Sequence, residues 1–552
     1  MKFFFWLVIF VLLLVGCQPE DAPSSNSETP FADVSVSEKP KPAIDVTGTL
    51  RYQDRFYTNN GFIASNMPMK PIRSVPVQLL HDGELMVESM SDDYGSFSFM
   101  AVDQGEYVLR VIAEVEHSSG TEISVSDVSG QRYAIETVVN IDEQSQTIAF
   151  DVMFADRVAG IFNMLDVFQT GLDFVDDMEL NTSIVEDLNV FWQWGMNNNT
   201  YTCKTASSFC SQGAGIYVLS DPVFSGDSDE YDDDILLHEF AHHLEYSWNM
   251  NDSPGGAHSF TNSALDLRLS WSEGMASAFA LSAKKWMRVN QPERLSVPNA
   301  IGQDYSNYYV DTVRDTALIS VDLLSATSAY YRYSTNEAAV ASAILRLQNL
   351  VGINTAWESL FNGLTENITA DTLESFWDAL VGFEQPNLTN LEVWQAALRT
   401  KDIRYELDEY ELNDSVNSAQ MLTIDETQTH VLYRNYYSND QDWFKLNLLK
   451  EQGVLIETFD LKNGADTYLE IFDASYTLMA SNDDAFDCEI LPSNCSPLHN
   501  GTNFSSQISF VPSMSGEFFI RVKTAESVLN DPLNYGYLGR YGEYSLRITA
   551  LP

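Results

Sequence analysis

The sequence predicts a multidomain α+β chain: a β-sandwich, then a mostly helical domain with a small edge sheet, then a second β-sandwich. Three observations predict it. Residues 45–154 alternate apolar and polar residues between Gly and Asp turns. From Asp156 the apolar period becomes helical, and after Glu273 the chain stays mostly helical to about residue 404. From 405 to 552 the alternation returns. A chain of 552 residues is long enough for several such units.

The N-terminus reads as a targeting segment. Met1-Lys2 precedes the apolar run Phe3–Val15, which is too short for a confident membrane span and suits a secretion signal over 1–16. Leu14-Val15-Gly16-Cys17 resembles the lipobox of bacterial lipoproteins. That resemblance implies that Cys17 becomes the lipid-modified first residue, anchoring the chain in the bacterial cell envelope. In a Gram-negative host, Gln18 rather than Asp after the Cys favours the outer membrane. The rest of 17–44 is rich in Pro, Ser, Glu and Asp and poor in aromatics, as in a disordered tether.

In 45–154, the segments Val75–Leu80, Gly95–Phe99 and Gly105–Val111 read as short antiparallel strands of a small sandwich. The pattern resembles the carboxypeptidase regulatory-like, transthyretin-like fold. It carries no catalytic constellation, and His81 and His117 are expected at the surface.

The central domain, 155–404, opens on a long amphipathic helix marked by Val158, Ile161, Phe162, Leu165, Phe168 and Leu172. Its chemistry lies in Ile235-Leu236-Leu237-His238-Glu239-Phe240-Ala241-His242-His243. On a helix, His238 and His242 stand one turn apart on one face and can reach one tetrahedral Zn²⁺. Glu239 lies in the same turn, where it can reach a water on the metal without being a ligand. Asp232-Asp233-Asp234 supplies an N-cap and favourable charge at the helix start. Leu237, Ala241, Leu244 and Trp248 form a buried stripe. Upstream, Gly215–Leu219 reads as a strand walling a cleft, and Leu188–Trp194 as another.

A catalytic zinc takes three protein ligands and keeps an open position. Glu273 sits near the start of the small-residue helix Leu269–Ala280, whose packing against the motif helix would aim it at the metal. Glu245, Asp252 and Asp266 are weaker candidates. A third-His pattern is excluded, because the corresponding positions hold Glu245 and Trp248. His238-Glu239-x-x-His242 with a later Glu273 resembles the gluzincin metallopeptidases, the thermolysin-like clan. Asp252–Ser259 and Trp271–Gly274 also resemble segments of secreted bacterial zinc peptidases. The resemblance covers about 155–400. It implies a zincin catalytic domain acting on polypeptides, with Glu239 as general base. It departs from the clan in a longer gap before Glu273 and in lacking the Gly-x-Met-Glu-Asn signature. For the oxyanion donor, the cluster Tyr330, Tyr331 and Tyr333 stands before the Asn336–Leu350 helix, with Tyr331 as its representative. His258, in the Gly-Gly loop, is the alternative. Further helix patterns occupy Thr372–Val381 and Leu391–Leu398.

The C-terminal region, 405–552, runs from Asp408-Glu409-Tyr410-Glu411-Leu412-Asn413-Asp414 through Asp440–Leu446, Gly464–Ile471, Ser481–Asp484 and Gly516–Val522 to Gly542–Leu546. This order resembles the bacterial pre-peptidase C-terminal domain, a β-sandwich that accompanies secreted peptidases. Its acidic loops could hold Ca²⁺ through oxygen ligands.

The totals narrow the partners. With 79 acidic against 30 basic residues, a net charge of −49 makes nucleic acid an unsuitable partner. Of the five Cys, Cys17 is the lipid site. Cys203 and Cys210, like Cys488 and Cys495, flank short polar loops, the spacing of local disulfides in an oxidising compartment. Each such bridge contributes about 2–3 kcal/mol in the chain-entropy picture. The reading is an exported, lipid-anchored zinc metallopeptidase. Two alternatives stand beside it: a surface adhesin or binding module on a non-cleaving zincin fold, and a metal-dependent hydrolase of non-peptide amides. Oligomeric state has no sequence signature.

Overall fold

The structure is a computed structural model. It describes residues 43–552 except 143, 145, 198, 223–224, 263–264, 298–303, 326–330, 363–371, 378–387, 406–407, 436–437, 463–464, 486–503 and 526–540. The expected signal, Cys17 and the tether as far as residue 42 lie outside the described residues, as do Tyr330, Cys488 and Cys495. The expected tether end is corrected, because Ile44 already starts a buried strand. No helix among the described residues is long and apolar enough to cross a membrane.

The chain mixes sheets with helices, as the periodicities predict. In the N-terminal sandwich, the strand Ile44–Gln53 pairs in parallel with Gln146–Val152 and antiparallel with Ser96–Val102 and Met69–Pro71. The facing sheet runs in the order Ala134–Ile141, Gly105–Ile112, Pro76–His81, Glu84–Met90. Alternate residues of Ile44–Gln53 are buried, with Val46, Leu50 and Tyr52 fully enclosed, which is the period-two pattern seen in the sequence. The strands Glu114–Glu116 and Glu122–Ser126 leave this sandwich. They join Leu188–Phe191, Gly215–Tyr217 and Tyr201–Cys203 in a five-stranded sheet. The expected boundary at 154 therefore falls inside one continuous hydrophobic core. His117 is a correction to the surface expectation: it is buried, with Nε2 3.0 Å from Asp173 Oδ1. Arg73 Nη1 reaches the same carboxylate at 3.1 Å, tying the sandwich to the first helix.

That helix, α1 (Ala159–Asp177), is buried along most of its length. Against it packs α2 (Asp233–Ser247), the motif helix, with Leu237, Ala241 and Leu244 fully enclosed as the spacing requires, whereas Trp248, expected in the same stripe, caps the helix and is only half-buried. Gly171 of α1 permits the approach, because a Cβ there would lie 2.8 Å from the Phe240 ring. The acidic start of α2 does more than cap it. Asp232 holds the N-cap position, but its side chain makes no cap hydrogen bond. Instead it accepts from Thr312 N and Oγ1 at 2.8 and 2.9 Å. Asp234 pairs with Lys284 at 2.6 Å, both fully buried, and accepts from Val310 N. Asp233 accepts from Asn163 Nδ2 at 3.2 Å. Satisfying each buried carboxylate fixes α2 to its neighbours, since an unpaired buried charge costs far more than a paired one.

Helix α3 (Leu267–Asn290) lies against α2, and α4 (Glu337–Val351) lies against α3. Asp266 and Asn336 cap them, accepting from Arg268 N and Ala339 N. Small residues make the packing close. A Cβ on Gly274 would come within 2.6 Å of Val340 and 2.7 Å of the Glu337 carbonyl. Gly274→Ala is therefore expected to part α3 from α4 and lower stability by about 1–3 kcal/mol. Thermal unfolding measures this, and an unaltered melting temperature would show that the helices can separate without cost.

The C-terminal sandwich has its own core, built on Phe444, Ile456, Leu469, Ile520 and Leu546. One sheet is ordered Gln420–Met421, Gln441–Leu448, Gly516–Thr524, Thr467–Phe472, Leu478–Asn482. The other contains Thr427–Asn435, Tyr541–Ala550, Val454–Lys462 and Gln507–Phe510.

Candidate metal centre

The face of α2 turned toward α3 carries both motif histidines. His238 Nε2 and His242 Nε2 are 3.2 Å apart. Glu273 Oε2, from the second turn of α3, lies 3.0 Å from the first and 3.3 Å from the second. A tetrahedral ion with bonds of about 2.0–2.1 Å spaces its ligand atoms about 3.3 Å apart. The three donors thus form one face of a tetrahedron that fits zinc in both size and chemistry. Burial opposes charge on His242, but Glu273 and Glu245 raise its pKa well above that of an ordinary imidazole. Burial likewise opposes charge on Glu273, and the two imidazoles hold its carboxyl well below the usual range. A cation at the centre answers the same electrostatic demand.

The outer nitrogens are held too. His242 Nδ1 is 2.9 Å from Glu245 Oε2, and His238 Nδ1 is 3.2 Å from Ser277 Oγ. Glu245 also accepts from Ser272 Oγ at 2.6 Å and Asn251 Nδ2 at 2.7 Å. This is the arrangement that orients a metal-binding imidazole and fixes its tautomer. Glu245 is therefore placed behind His242 rather than in the triangle. The other two alternatives are engaged elsewhere: Asp252 pairs with Arg268 at 3.0 Å, and Asp266 caps α3.

Glu239 stands outside the triangle and lines the cleft in front of it. Thr202 Oγ1 donates to its Oε2 at 2.7 Å. Thr202 belongs to the edge strand Tyr201–Cys203, which pairs antiparallel with Gly215–Tyr217. Of the stretch expected to wall the cleft, Gly215–Tyr217 lies behind this edge and Leu219 reaches the lining. The Cys203–Cys210 disulfide closes the loop at the end of the edge strand.

The cleft has a volume of about 500 Å³. His258 lines it, with Nε2 3.5 Å from Glu273 Oε1 and Nδ1 2.8 Å from Glu337 Oε2. Burial works against a charge on His258, yet the Glu337 bond and the Glu273 charge push its pKa up to about 9. Tyr331 is a correction: it packs half-buried against the core and is not among the cleft-lining residues. Tyr333 is not among the cleft-lining residues; its ring centroid lies 5.9 Å from Lys462 Nζ. Among the cleft tyrosines, Tyr309 meets the His238 ring edge-on at 5.8 Å between centroids. It lies on the strand Tyr308–Val313, 36 residues beyond Glu273, and nothing local in the sequence marks it. Along the same wall stand Asp227, Asp229 and Asp311, where burial and mutual repulsion raise the carboxyls, Asp311 to about 7.

No protein-family model matches the chain, and no curated protein matches it. Among solved structures, it is similar to the pre-peptidase C-terminal domain of a collagenase from Bacillus anthracis at 14% identity. That match covers 24% of this chain and 94% of that one, with a TM-score of 0.16. It is also similar to the precursor of protealysin, a metalloproteinase from Serratia proteamaculans, at 11% identity. Here 51% of this chain and 87% of that one are covered, with a TM-score of 0.33.

Proposed function

We propose that the protein is an exported zinc metallopeptidase, with His238, His242 and Glu273 as metal ligands. The observation that carries the reading is the triangle of two imidazole nitrogens and one carboxylate oxygen at 3.0–3.3 Å, with Glu239 beside it but not in it. Zinc, when bound there, supplies the Lewis acidity that brings the pKa of its water toward neutrality. The remaining roles fall to the chain. Glu239, oriented by Thr202, takes a proton from the attacking water and returns it to the leaving nitrogen. His258 donates from Nε2 to the carbonyl oxygen as negative charge develops on it, while Glu337 holds the opposite ring nitrogen. The edge strand and the cleft walls keep an extended polypeptide in line with these groups.

Two measurements test the reading together: elemental analysis of the purified chain and digestion of a proteome-derived peptide mixture. One equivalent of zinc with new peptide termini supports it. Zinc without cleavage would favour the binding-module alternative, and cleavage confined to non-peptide amides the third reading. The carboxylate at Glu239 speaks against the binding module, because a purely structural zinc site has no use for it. His258→Gln is expected to keep zinc and lower kcat by roughly 10²–10³-fold, the usual cost of an oxyanion donor. Full kcat in that variant would move the role to Tyr309.

We also propose that Cys17 carries the lipid that anchors the chain in the envelope, on the strength of the Leu14–Cys17 box. Cys17→Ala should release the protein or leave an unprocessed precursor. A processed variant still held at the membrane would dispose of the idea.

A further inference from the structure

The C-terminal sandwich contains a cluster of acids that no role in peptide hydrolysis uses. Asp466 precedes the strand Thr467–Phe472, and Asp483 and Asp484 follow the strand Leu478–Asn482, its antiparallel partner. The three side chains each bring a carboxylate oxygen within 4.8 Å of the others. Asp466 is only 6% exposed, and its Oδ1 is buried without a hydrogen-bond partner among the described residues. Asp483 Oδ1 is in the same condition. A buried carboxyl without a donor, beside two others, is costly to ionise: burial and the charges of Asp483 and Asp484 push the Asp466 carboxyl up to about 8. Lys523 attracts Asp483, but one ammonium against three carboxylates leaves a net negative centre.

The surroundings hold the cluster in place. Ser506, fully buried, accepts no freedom of position: its hydroxyl lies 2.5 Å from both the Thr467 and the Asp483 carbonyl oxygens. Asn482 Oδ1 accepts from Gln507 N at 2.8 Å. Both strand ends that carry the acids are thereby fastened to the start of the strand Gln507–Phe510.

We propose that Asp466, Asp483 and Asp484 form a Ca²⁺ site that clamps the open end of this hairpin. Three carboxylates offer up to six oxygens, and water can complete the 6–8 that Ca²⁺ takes in its flexible coordination. Histidine and cysteine are absent from the group, which disfavours zinc. The proposal does not rest on the peptidase reading, since the site lies in a separate core.

The test is calorimetric titration of the zinc-loaded full chain with Ca²⁺ alone, in wild type and in Asp466→Asn, Asp484→Asn and Asp440→Asn. The last variant addresses a second acidic group in the same sandwich, Glu411, Asp414 and Asp440. The expected result is one Ca²⁺ equivalent lost in Asp466→Asn, weakened at least about tenfold in Asp484→Asn, and retained in Asp440→Asn. Asp484 is exposed, so its variant decides the matter if Asp466→Asn does not fold. Wild type that takes up no Ca²⁺ overturns the proposal. So does uptake that Asp466→Asn and Asp484→Asn leave intact.

Discussion

Glu239→Gln is expected to bind zinc at wild-type stoichiometry and to lose most of its turnover, by about 10²–10⁴-fold. The two halves of this result come from one geometric fact. The Glu239 side chain lines the cleft and is held by Thr202, while the donor triangle is complete without it. Glutamine keeps the size and can still accept from Thr202 through its carbonyl oxygen, so the local packing is undisturbed. It cannot take up the proton of the attacking water. Elemental analysis and cleavage of a peptide mixture, run on the same preparation, separate the two effects. Normal cleavage in this variant would falsify the assigned role.

Glu273→Ala is expected to fail differently, losing zinc and activity together. Removing Oε2 leaves two imidazoles at 3.2 Å with no anionic partner between them. Loss of an outer partner of a metal-bound His typically costs about 10–100-fold in metal affinity, so loss of a direct ligand should cost at least that much. The variant should also remove the more distant of the two carboxylates at His258, 3.5 Å from Nε2, while Glu337 keeps its hold on Nδ1 at 2.8 Å. Circular dichroism must show a folded chain, because Glu273 is buried and borders Gly274. Tight zinc and a full rate in a folded Glu273→Ala protein would send the third ligand elsewhere. Glu245 would be the first place to look, since it already contacts His242. The pair of variants thus distinguishes a group that works on the bound water from one that holds the metal.

The local part of this site is legible in the residues themselves. A helix of 3.6 residues per turn puts His238 and His242 on one face whatever surrounds them, and the buried stripe of Leu237, Ala241 and Leu244 follows from the same period. Short-range spacing likewise pairs Cys203 with Cys210. Strand alternation marks both sandwiches for the same reason: a period of two is a local property of the backbone. What involves distance along the chain is less legible. Asp232, Asp233 and Asp234 read as a cap because helix starts favour acids, yet burial turned them to Thr312, Asn163 and Lys284. His117 reads as a surface residue, yet its ring is held between Ser119, two residues on, and Asp173 from the next helix.

The residues themselves therefore determined the motif face, the helical centre and the two β-rich flanks, since each depends on backbone periodicity over a few turns. Tertiary structure alone decided which groups meet. It set Glu273 against the histidines because small residues let α2, α3 and α4 approach closely, with Gly274 leaving no room for a Cβ. It turned Glu245 from a candidate ligand into the partner of His242, placed Thr202 on Glu239, and brought Tyr309 rather than Tyr331 to the cleft. Such contacts depend on how separate elements pack, and packing is selected by the whole core rather than by any short stretch of chain.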